Sequence, residues 1–382
     1  MKYVKLFGKF LVLLLSVTLI SNLLPNKIVS LGLSIDDKGL SKERFYRQLI
    51  MQNVSSCTWN SETNIYSTTE LYNIDGKISG YIYEYQNKNY PSGFMQLDKM
   101  NNEFVLNCYS FGDDHFAVRK MKETTIDSIN LMKNKKLLYL NGNYYITDFN
   151  NLTSKEFIVY DILNNSNIMI NRNEAEQIPK ASYTNTGISK SANNVSVMVQ
   201  GYTSMRLATY NNVNDSGIGC AAIVGTNICM YWANFRGKAS LAPTMMSTYT
   251  DLYKKMNIRS STSGGTTCTE AYNGLKSYVN GKGYAIPYSG TASNSTFSWN
   301  WLVNRIDRGM PFALPLFYNL SGVSTQRVRH FLAVFGYQIL NSEKIVIMAD
   351  PNQSSMVYRA YYSLPANGVM IPSNDFAFYV GW

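Results

Sequence analysis

The spacing of apolar residues divides the chain into a first part rich in short strands and a later part in which helices precede strands. Between about residues 35 and 170, Tyr- and Ile-rich runs alternate with turns, and Asp75-Gly76 is a pair typical of hairpin turns. An amphipathic helix is predicted ahead of these strands over residues 40–51, with Phe45, Leu49 and Ile50 on one side. This first part is therefore predicted to be an α+β module dominated by strands.

From about residue 198 onwards, apolar positions first recur at helical spacing and then form strand-like runs. The predicted helices cover residues 220–235, 244–256, 267–280 and 298–307. Gly281 is predicted to follow the third of these helices as its C′ residue. The strand-like runs begin at residues 311, 330, 344, 356 and 375. Helices followed by antiparallel strands indicate an α+β fold class.

A polar stretch separates the two parts. Residues 171–197 contain Pro, Gly, Ser and Asn without periodicity, which is typical of an exposed linker. Lys180 and Lys190 lie within it and are expected cleavage sites, because exposed polar linkers are where proteolysis concentrates. The predicted domains are therefore residues 31–170 and residues 198–382.

The N-terminus has the pattern of a secretory signal. Lys2, Lys5 and Lys9 precede an uncharged apolar run from residue 10 to residue 20. That run is about half of the ~20 residues that a membrane-spanning helix needs. Residues 1–30 are therefore predicted to be a cleaved signal peptide, and the protein is predicted to be secreted, extracellular or associated with the cell wall.

Composition and charge narrow the classes of partner. Apolar residues make up 45% of the 382 residues and charged residues 16%, which is sufficient for a core and argues against global disorder. The formal net charge is +10, which favours non-specific contact with anionic cell-wall polymers. The basic residues are scattered, with short pairs such as Lys135-Lys136 and no basic stripe, so no nucleic-acid partner is expected.

The scarcity of histidine and cysteine excludes further chemistry. The chain has five cysteines and two histidines, and no CxxC pair. This composition excludes a His-rich metal site and disfavours redox or zinc-ribbon motifs. No metal and no organic cofactor is expected. Imidazole chemistry must use His115 or His330, of which His115 is expected in a solvated loop or at the edge of the core. A disulfide between Cys57 and Cys108 is left open.

The most informative segment is the one that leads into the predicted helix at Cys220. Gly217 and Gly219 precede this cysteine, and Ala221 begins an apolar stripe that continues along the helix. The unpaired N–H groups and the positive dipole end at a helix start favour a thiolate over a thiol. Cys220 is therefore predicted to be a nucleophile.

Such a nucleophile needs a base and a group that orients that base. His330 is the single histidine after the linker, and it opens a predicted strand. Asp350 ends the next strand, where it could accept a hydrogen bond from the imidazole, and Asp375 is a second choice. The predicted catalytic residues are therefore Cys220, His330 and Asp350.

These residues resemble a known family. The cysteine at a helix start, the run His-Phe-Leu-Ala-Val-Phe-Gly-Tyr from His330 and the Asp350-Pro351 pair are similar to the papain-like cysteine peptidases, in particular to the bacteriocin-processing, double-glycine-leader group. The resemblance spans residues 198–382 and implies a papain-like fold, with a helical half and an antiparallel sheet half. Residues 80–112 resemble the inhibitory prosegment of streptopain-type peptidases, which implies an inhibitory prodomain.

The sequence departs from that group at two places near the cysteine. The leader peptidases typically have Gly-Pro after the cysteine, whereas this chain has Ala221-Ala222, nearer the streptopain style. They also place a Gln about six residues before the cysteine as an oxyanion-hole donor, and this chain has Asn214 there. Asn214 is therefore the predicted side-chain donor, and the backbone N–H of Cys220 is the other.

The sequence is compatible with three functions. The first is a monomeric, secreted cysteine peptidase that cleaves peptide or protein substrates through an acyl-thioester and is made as a latent precursor, whose prodomain covers the cleft and is removed on activation. The second is a cell-wall amidase or endopeptidase that cuts peptidoglycan with the same residues. The third is a non-catalytic binding protein or adhesin that has kept only the fold.

Overall fold

The computed structural model describes most of the chain beyond the N-terminus. The described residues are 38–123, 132, 134–140, 143–162, 166–173, 195–198, 219–259, 265–293, 295–318, 328–353, 355–364 and 376–382. The predicted signal peptide and most of the predicted linker lie outside these ranges. The chain divides into two compact units, Met1–Ser41 and Lys42–Trp382, and nearly all described residues belong to the second unit.

Residues 40–173, here called the N-terminal segment, consist mainly of strands. Two helices belong to it, α1 (Leu40–Asn53) and α2 (Phe116–Lys122). Its strands are β1 (Thr63–Tyr72), β2 (Ile78–Asn87), β3 (Tyr90–Met100), β4 (Glu103–Phe111), β5 (Lys135–Leu140), β6 (Asn143–Asp148), β7 (Glu156–Asp161) and β8 (Ser166–Asn171). A 3₁₀ turn over Phe149–Thr153 lies between β6 and β7.

Residues 195–382, here called the C-terminal segment, contain the larger helices. They are α3 (Cys220–Phe235), α4 (Met245–Lys255), α5 (Cys268–Gly281) and α6 (Trp299–Asp307). The strands are β9 (Val195–Met198), β10 (Tyr288–Ser293), β11 (Phe312–Tyr318), β12 (Val328–Leu340), β13 (Glu343–Ala349), β14 (Met356–Ala360) and β15 (Phe376–Gly381). Short 3₁₀ turns cover Ala239–Leu241 and Tyr361–Ser363.

The strands of both segments belong to one sheet. Its order is β10-β15-β11-β12-β13-β14-β4-β3-β2-β1-β5-β6-β7-β8, and β9 pairs with β12 outside this path. The sheet is mixed, because β1 and β5 pair in parallel whereas the neighbouring pairs are antiparallel. The described part of the chain is therefore α+β, and its two segments join where β14 pairs with β4.

Local capping signals explain where the helices of the C-terminal segment begin. Thr267 and Glu270 form a reciprocal capping box at the start of α5, and Ser298 accepts a hydrogen bond from the Trp301 backbone N–H at the start of α6. The prediction for Gly281 is wrong, because this residue is the last of α5. Gly283 instead takes the left-handed conformation, with φ +83°.

The buried face of α1 agrees with the prediction at Ile50 and differs from it at Phe45. Phe45 is 46% exposed, and the side chains that face inwards are those of Glu43, Tyr46 and Ile50. Glu43 is buried because its Oε1 accepts hydrogen bonds from the Tyr85 hydroxyl at 2.8 Å and from Arg47 Nε at 2.8 Å. A polar group of the sheet therefore determines which side of this helix packs inwards, and a hydrophobic pattern does not register such a group.

One hydrophobic core cluster contains residues of both segments. Phe94 and Leu71 belong to it from the N-terminal segment, and Val357 and Leu364 from the C-terminal segment. Among the described residues, no helix combines the length and the apolar character that crossing a membrane requires.

The register between β12 and β13 determines what meets at one end of these strands. Ala333 of β12 pairs with Ala349 of β13, and a bulge between Val334 and Gly336 interrupts the ladder. Because the strands are antiparallel, the residue after Ala349 approaches the beginning of β12. Asp350 is that residue, and His330 is the third residue of β12.

Candidate active site

Cys220 is the first residue of α3, as the sequence predicts. Gly219 is the N-cap residue, and its carbonyl accepts a hydrogen bond from the Ile223 N–H at 2.9 Å. Ala221 and Ala222 are buried, whereas Cys220 is only partly buried. The apolar stripe of α3 thus fixes the helix, and its first turn holds the thiol at a partly exposed position.

Gly219 allows a close approach by helix α4. A methyl group at Gly219 would lie 2.5 Å from the Tyr249 hydroxyl oxygen and 3.3 Å from the nearest ring carbons, so alanine would require a shift of one of the two elements. Tyr249 is buried, and burial, followed by the nearby Tyr253 and Cys220, raises the pKa of its hydroxyl to about 12. Tyr249 is a neighbour of the thiol that sequence reasoning missed, since no local pattern relates the two helices.

His330 and Asp350 form a hydrogen-bonded pair. His330 is buried on β12 opposite Leu316 of β11, and its Nε2 lies 2.8 Å from Asp350 Oδ1. A hydrogen bond also joins the imidazole to the Cys220 side chain. Because Nε2 is directed at Asp350, Nδ1 is the ring nitrogen that remains for Cys220.

Burial and charge act in opposite directions on this pair. Burial lowers the pKa of His330, but the Asp350 carboxylate, its hydrogen bond and the Cys220 side chain outweigh burial and raise this pKa to about 10. Burial raises the pKa of Asp350, but His330 and the Asn352 N–H outweigh it, so this pKa lies below its ordinary value. At neutral pH the pair therefore consists of an imidazolium and a carboxylate.

Asn352 is a second residue of the site that the sequence analysis missed. Its backbone N–H donates to Asp350 Oδ1 at 2.8 Å, and its side-chain Nδ2 lies 3.3 Å from His330 Nε2. An Asp that accepts a hydrogen bond from the N–H two residues later forms an Asx-turn, and the Asp-Pro-Asn sequence was the available signal. The turn holds the Asp350 carboxylate towards His330.

The structure thus brings Cys220, His330 and Asp350 together. The predicted oxyanion-hole residue, Asn214, lies outside the described residues, as does Asp375. The Cys220 N–H belongs to the first turn of α3, where backbone N–H groups have no acceptor within the helix. Within the described ranges, no group of three or more His, Cys, Asp or Glu side chains could hold a metal ion.

The other cysteines have structural environments. Cys229 and Cys268 are buried in the core, and burial raises the pKa of the Cys229 thiol. Cys57 and Cys108 are free thiols and form no disulfide. The Cys57 thiol donates to the Trp59 carbonyl oxygen, and the Cys108 thiol donates to Gln96 Oε1. Cys220 is therefore the cysteine whose thiol is hydrogen-bonded to a histidine in the described part of the chain.

His115 is a ring of the core and not a solvated loop residue. It is 1% exposed, its Nδ1 accepts a hydrogen bond from the Ala117 N–H, and its ring packs against Phe94 and Tyr144. Burial lowers the pKa of His115 to about 3, and the positive charge of Arg119 lowers it as well. The ring is therefore neutral at ordinary pH and serves as the N-cap of α2.

Several large aromatic residues of the C-terminal segment pack against other rings. Tyr231 and Trp232 are buried, and their ring centroids lie 5.0 Å apart. The Trp382 ring packs against Trp232. Trp301 packs against Phe312. Tyr231 and Trp232 therefore belong to the hydrophobic core, and Trp301 packs against that core.

One comparison with known proteins covers the part of the chain that carries the side chains of this site. Residues 192–367 match the model of the Peptidase_C39 like family, and that range contains Cys220, His330 and Asp350. The curated proteins contain no match to the chain. The match supports a likeness of residues 192–367 to the bacteriocin-processing group of papain-like cysteine peptidases.

Proposed function

We propose that this protein is a cysteine peptidase that hydrolyses peptide bonds through Cys220, His330 and Asp350. One observation carries the proposal: the imidazole of His330 is hydrogen-bonded to Asp350 on one side and to Cys220 on the other. A nucleophile bonded to a base that a third group orients is the arrangement of covalent acyl-transfer catalysis.

The residues would act in the following order. The Cys220 sulfur, as a thiolate, attacks the carbonyl carbon, and the electron pair of the C=O bond moves to the oxygen. When this intermediate collapses, the amine leaves with the Nδ1 proton of His330, and an acyl-thioester remains. Water then gives a proton to the neutral imidazole and attacks the thioester, which releases the carboxylic acid and restores the thiolate.

The neighbouring groups would support these steps. Asp350 keeps the Nε2 side of the imidazole fixed and stabilises the imidazolium, while Asn352 fixes Asp350. The Cys220 N–H and the side chain of Asn214 would donate to the oxyanion. The chemistry needs no metal and no organic cofactor.

The export and latency of the enzyme belong to the same proposal. Residues 1–30 would direct secretion, and the N-terminal segment would act as an intramolecular inhibitor of the precursor. Two observations support this role. Arg119 of α2 donates to the Asn352 carbonyl at 3.4 Å, and Gly112 approaches Ser355 so closely that an added methyl group would lie 2.9 Å from Ser355 Oγ. The N-terminal segment therefore contacts the loop that follows Asp350.

A second substrate class fits the same residues. The net charge of +10 would attract the enzyme to anionic cell-wall polymers, so an amidase or endopeptidase acting on peptidoglycan stem peptides is the alternative. Zymography on casein and on purified cell walls separates the two, because each substrate is cleared only by the matching activity. A non-catalytic protein of the same fold would clear neither.

Labelling with a thiol-reactive peptidyl probe tests the mechanism. Cys220→Ser should abolish labelling and turnover, and His330→Ala should lower turnover by about 10²-fold or more, because the proton donor is lost. Cys57→Ser is the matched control, since Cys57 is a partly exposed thiol of the N-terminal segment. Turnover that survives in the Cys220 or His330 variant would contradict the proposed mechanism.

A further inference from the structure

The two segments meet as neighbouring strands of one sheet. Ser110, Tyr109 and Cys108 of β4 pair with Val357, Tyr358 and Arg359 of β14, respectively, in antiparallel register. We call this pairing and the side chains around it the seam. Without β4, the backbone of β14 would form an open sheet edge, and such edges pair readily with another strand.

Side chains reinforce the pairing of β4 with β14. The rings of Tyr109 and Tyr358 are stacked, with centroids 4.7 Å apart and an interplanar angle of 9°. The Tyr109 hydroxyl donates to Gln338 Oε1 at 2.9 Å, and the Tyr362 hydroxyl donates to the Leu106 carbonyl at 2.7 Å. Opening the seam would break both hydrogen bonds and expose their polar groups to water, so the bonds favour the paired state.

A buried charge also depends on the seam. Arg359 of β14 is 7% exposed, and its guanidinium Nε donates to Ser363 Oγ. Its positive charge acts on Asp98 of β3 and on Asp350, and it lowers the pKa of both carboxyl groups against the effect of burial. Removing the N-terminal segment would take Asp98 away from Arg359, and separating a buried charge from its partner is costly.

We propose that the N-terminal segment stays bound to the C-terminal segment as a separate chain after the linker between residues 174 and 194 is cut. The docking surface on the C-terminal segment consists of the β14 edge with Tyr358 and Arg359, together with Gln338, Tyr362 and the Asn352 carbonyl. Its occupant is the N-terminal segment of this same chain, through strand β4, Tyr109 and Arg119.

This association has a consequence for regulation, which rests on the proposed function. Cutting the linker does not by itself remove the contacts to the loop after Asp350, so the cut enzyme keeps its inhibitor. Activation then requires a second step, which is the displacement or digestion of the N-terminal segment.

The association can be measured without any activity. A recognition sequence for a site-specific protease is placed between residues 180 and 190 of the full chain, in the Cys220→Ser background that prevents self-cleavage. After complete cutting at micromolar concentration, gel filtration and native mass spectrometry should find the two chains together in a 1:1 complex. Two separate peaks that each contain one folded chain would overturn the proposal.

Variants at the seam test whether its residues contribute to the binding of the two cut chains. Tyr358→Ala removes the stacking on Tyr109 and should raise the Kd of the cut complex by about 10-fold or more. Tyr90→Ala is the control, because Tyr90 begins β3 in the same segment but is 76% exposed, and this variant should leave the Kd unchanged. If Tyr358→Ala does not fold, Tyr109→Phe removes only one hydroxyl and should raise the Kd by about five-fold. Equal Kd values for the seam and control variants would overturn the proposed surface.

The wild-type thiol tests the regulatory consequence. Labelling of Cys220 by the peptidyl probe should stay low after the linker is cut and should rise when the complex is diluted below its Kd. Labelling that rises on cutting while the chains still elute together would overturn the consequence. A thiol that remains unlabelled at every dilution, in chains that associate as expected, supports the docking surface and counts against the proposed peptidase function.

Discussion

His330 Nε2 and Asp350 Oδ1 lie 2.8 Å apart although 20 residues separate them in the chain. The antiparallel register of β12 and β13, with Ala333 opposite Ala349, brings the two side chains together. Asp350 is held in turn by the Asn352 N–H. The imidazole therefore has a fixed ring orientation on β12 before any substrate arrives.

Replacing Asp350 by Asn should lower both the pKa of His330 and the turnover of the enzyme. The variant keeps the size of the side chain but removes the charge that raises the pKa of His330 against the effect of burial. The ring pKa, followed by NMR titration, should fall by several units, and kcat/KM should fall by about 10²-fold. Asp307→Asn is the control, because Asp307 accepts a hydrogen bond from Tyr337, which lies on β12 like His330. An unchanged His330 titration would show that Asp350 does not act on the ring.

The contribution of the His330–Asp350 pair to stability should be largest in mildly acidic solution. The pKa of His330 is raised in the folded state, so its contribution is complete below about pH 6.5 and is lost as the pH rises through about 10. The pKa of Asp350 is lowered, so its contribution is present above about pH 4 and is lost on further acidification. The difference in unfolding free energy between wild type and Asp350→Asn, measured with urea, should therefore be larger at pH 6 than at pH 10. The opposite ranking would contradict the pairing.

Replacing Gly219 by Ala should disturb the turn that carries Cys220. The added methyl group would lie 2.5 Å from the Tyr249 hydroxyl oxygen. We expect a loss of about 1 to 3 kcal/mol in the free energy of unfolding and slower labelling of Cys220. The double variant with Tyr249→Phe should recover part of both, because the phenylalanine lacks the obstructing oxygen.

The matched control for this prediction is Gly281→Ala. A methyl group at Gly281, the last residue of α5, would meet only the end of Lys255, at 4.0 Å. Its stability and labelling should match those of wild type. Equal effects of Tyr249→Phe in the presence and absence of Gly219→Ala would rule out the steric explanation.

The buried carboxyl of Asp98 should make the fold less stable as the pH rises from about 4 to 6. Burial raises its pKa to about 6, although Gln96, Asn107 and Arg359 act against burial. The folded state therefore binds the proton more tightly than the unfolded state, and the unfolding free energy falls by about 3 kcal/mol across this range.

Asp98→Asn should remove this part of the pH dependence. Urea unfolding at pH 4.5 and 7.5 should give a smaller difference for the variant than for wild type. Asp75→Asn is the control, because Asp75 is an exposed carboxylate that pairs with Arg172. A wild-type difference that persists in Asp98→Asn would assign the pH dependence to other groups.

Much of the C-terminal segment could be predicted because its signals are local. Helix α3 begins at Cys220, as its apolar spacing predicts. Thr267 caps α5 and Ser298 caps α6 through hydrogen bonds within one turn. His330 and Asp350 could be paired because each lies at the end of a strand-like run. By contrast, Asn352 was missed because it acts through a turn. Tyr249 was missed because it approaches Cys220 through the contact between two helices.

The amino-acid sequence by itself determined the elements and the residue types of the site, since caps, periodicity and the scarcity of histidine are properties of short stretches or of composition. The tertiary structure alone decided that β4 completes the sheet at β14, that Glu43 faces inwards while Phe45 is exposed, and that His115 is a buried cap. Each of these depends on partners tens to hundreds of residues away. Such contacts form when strands pair and buried polar groups acquire hydrogen-bond partners. A local sequence pattern does not identify the distant residue that will be the partner.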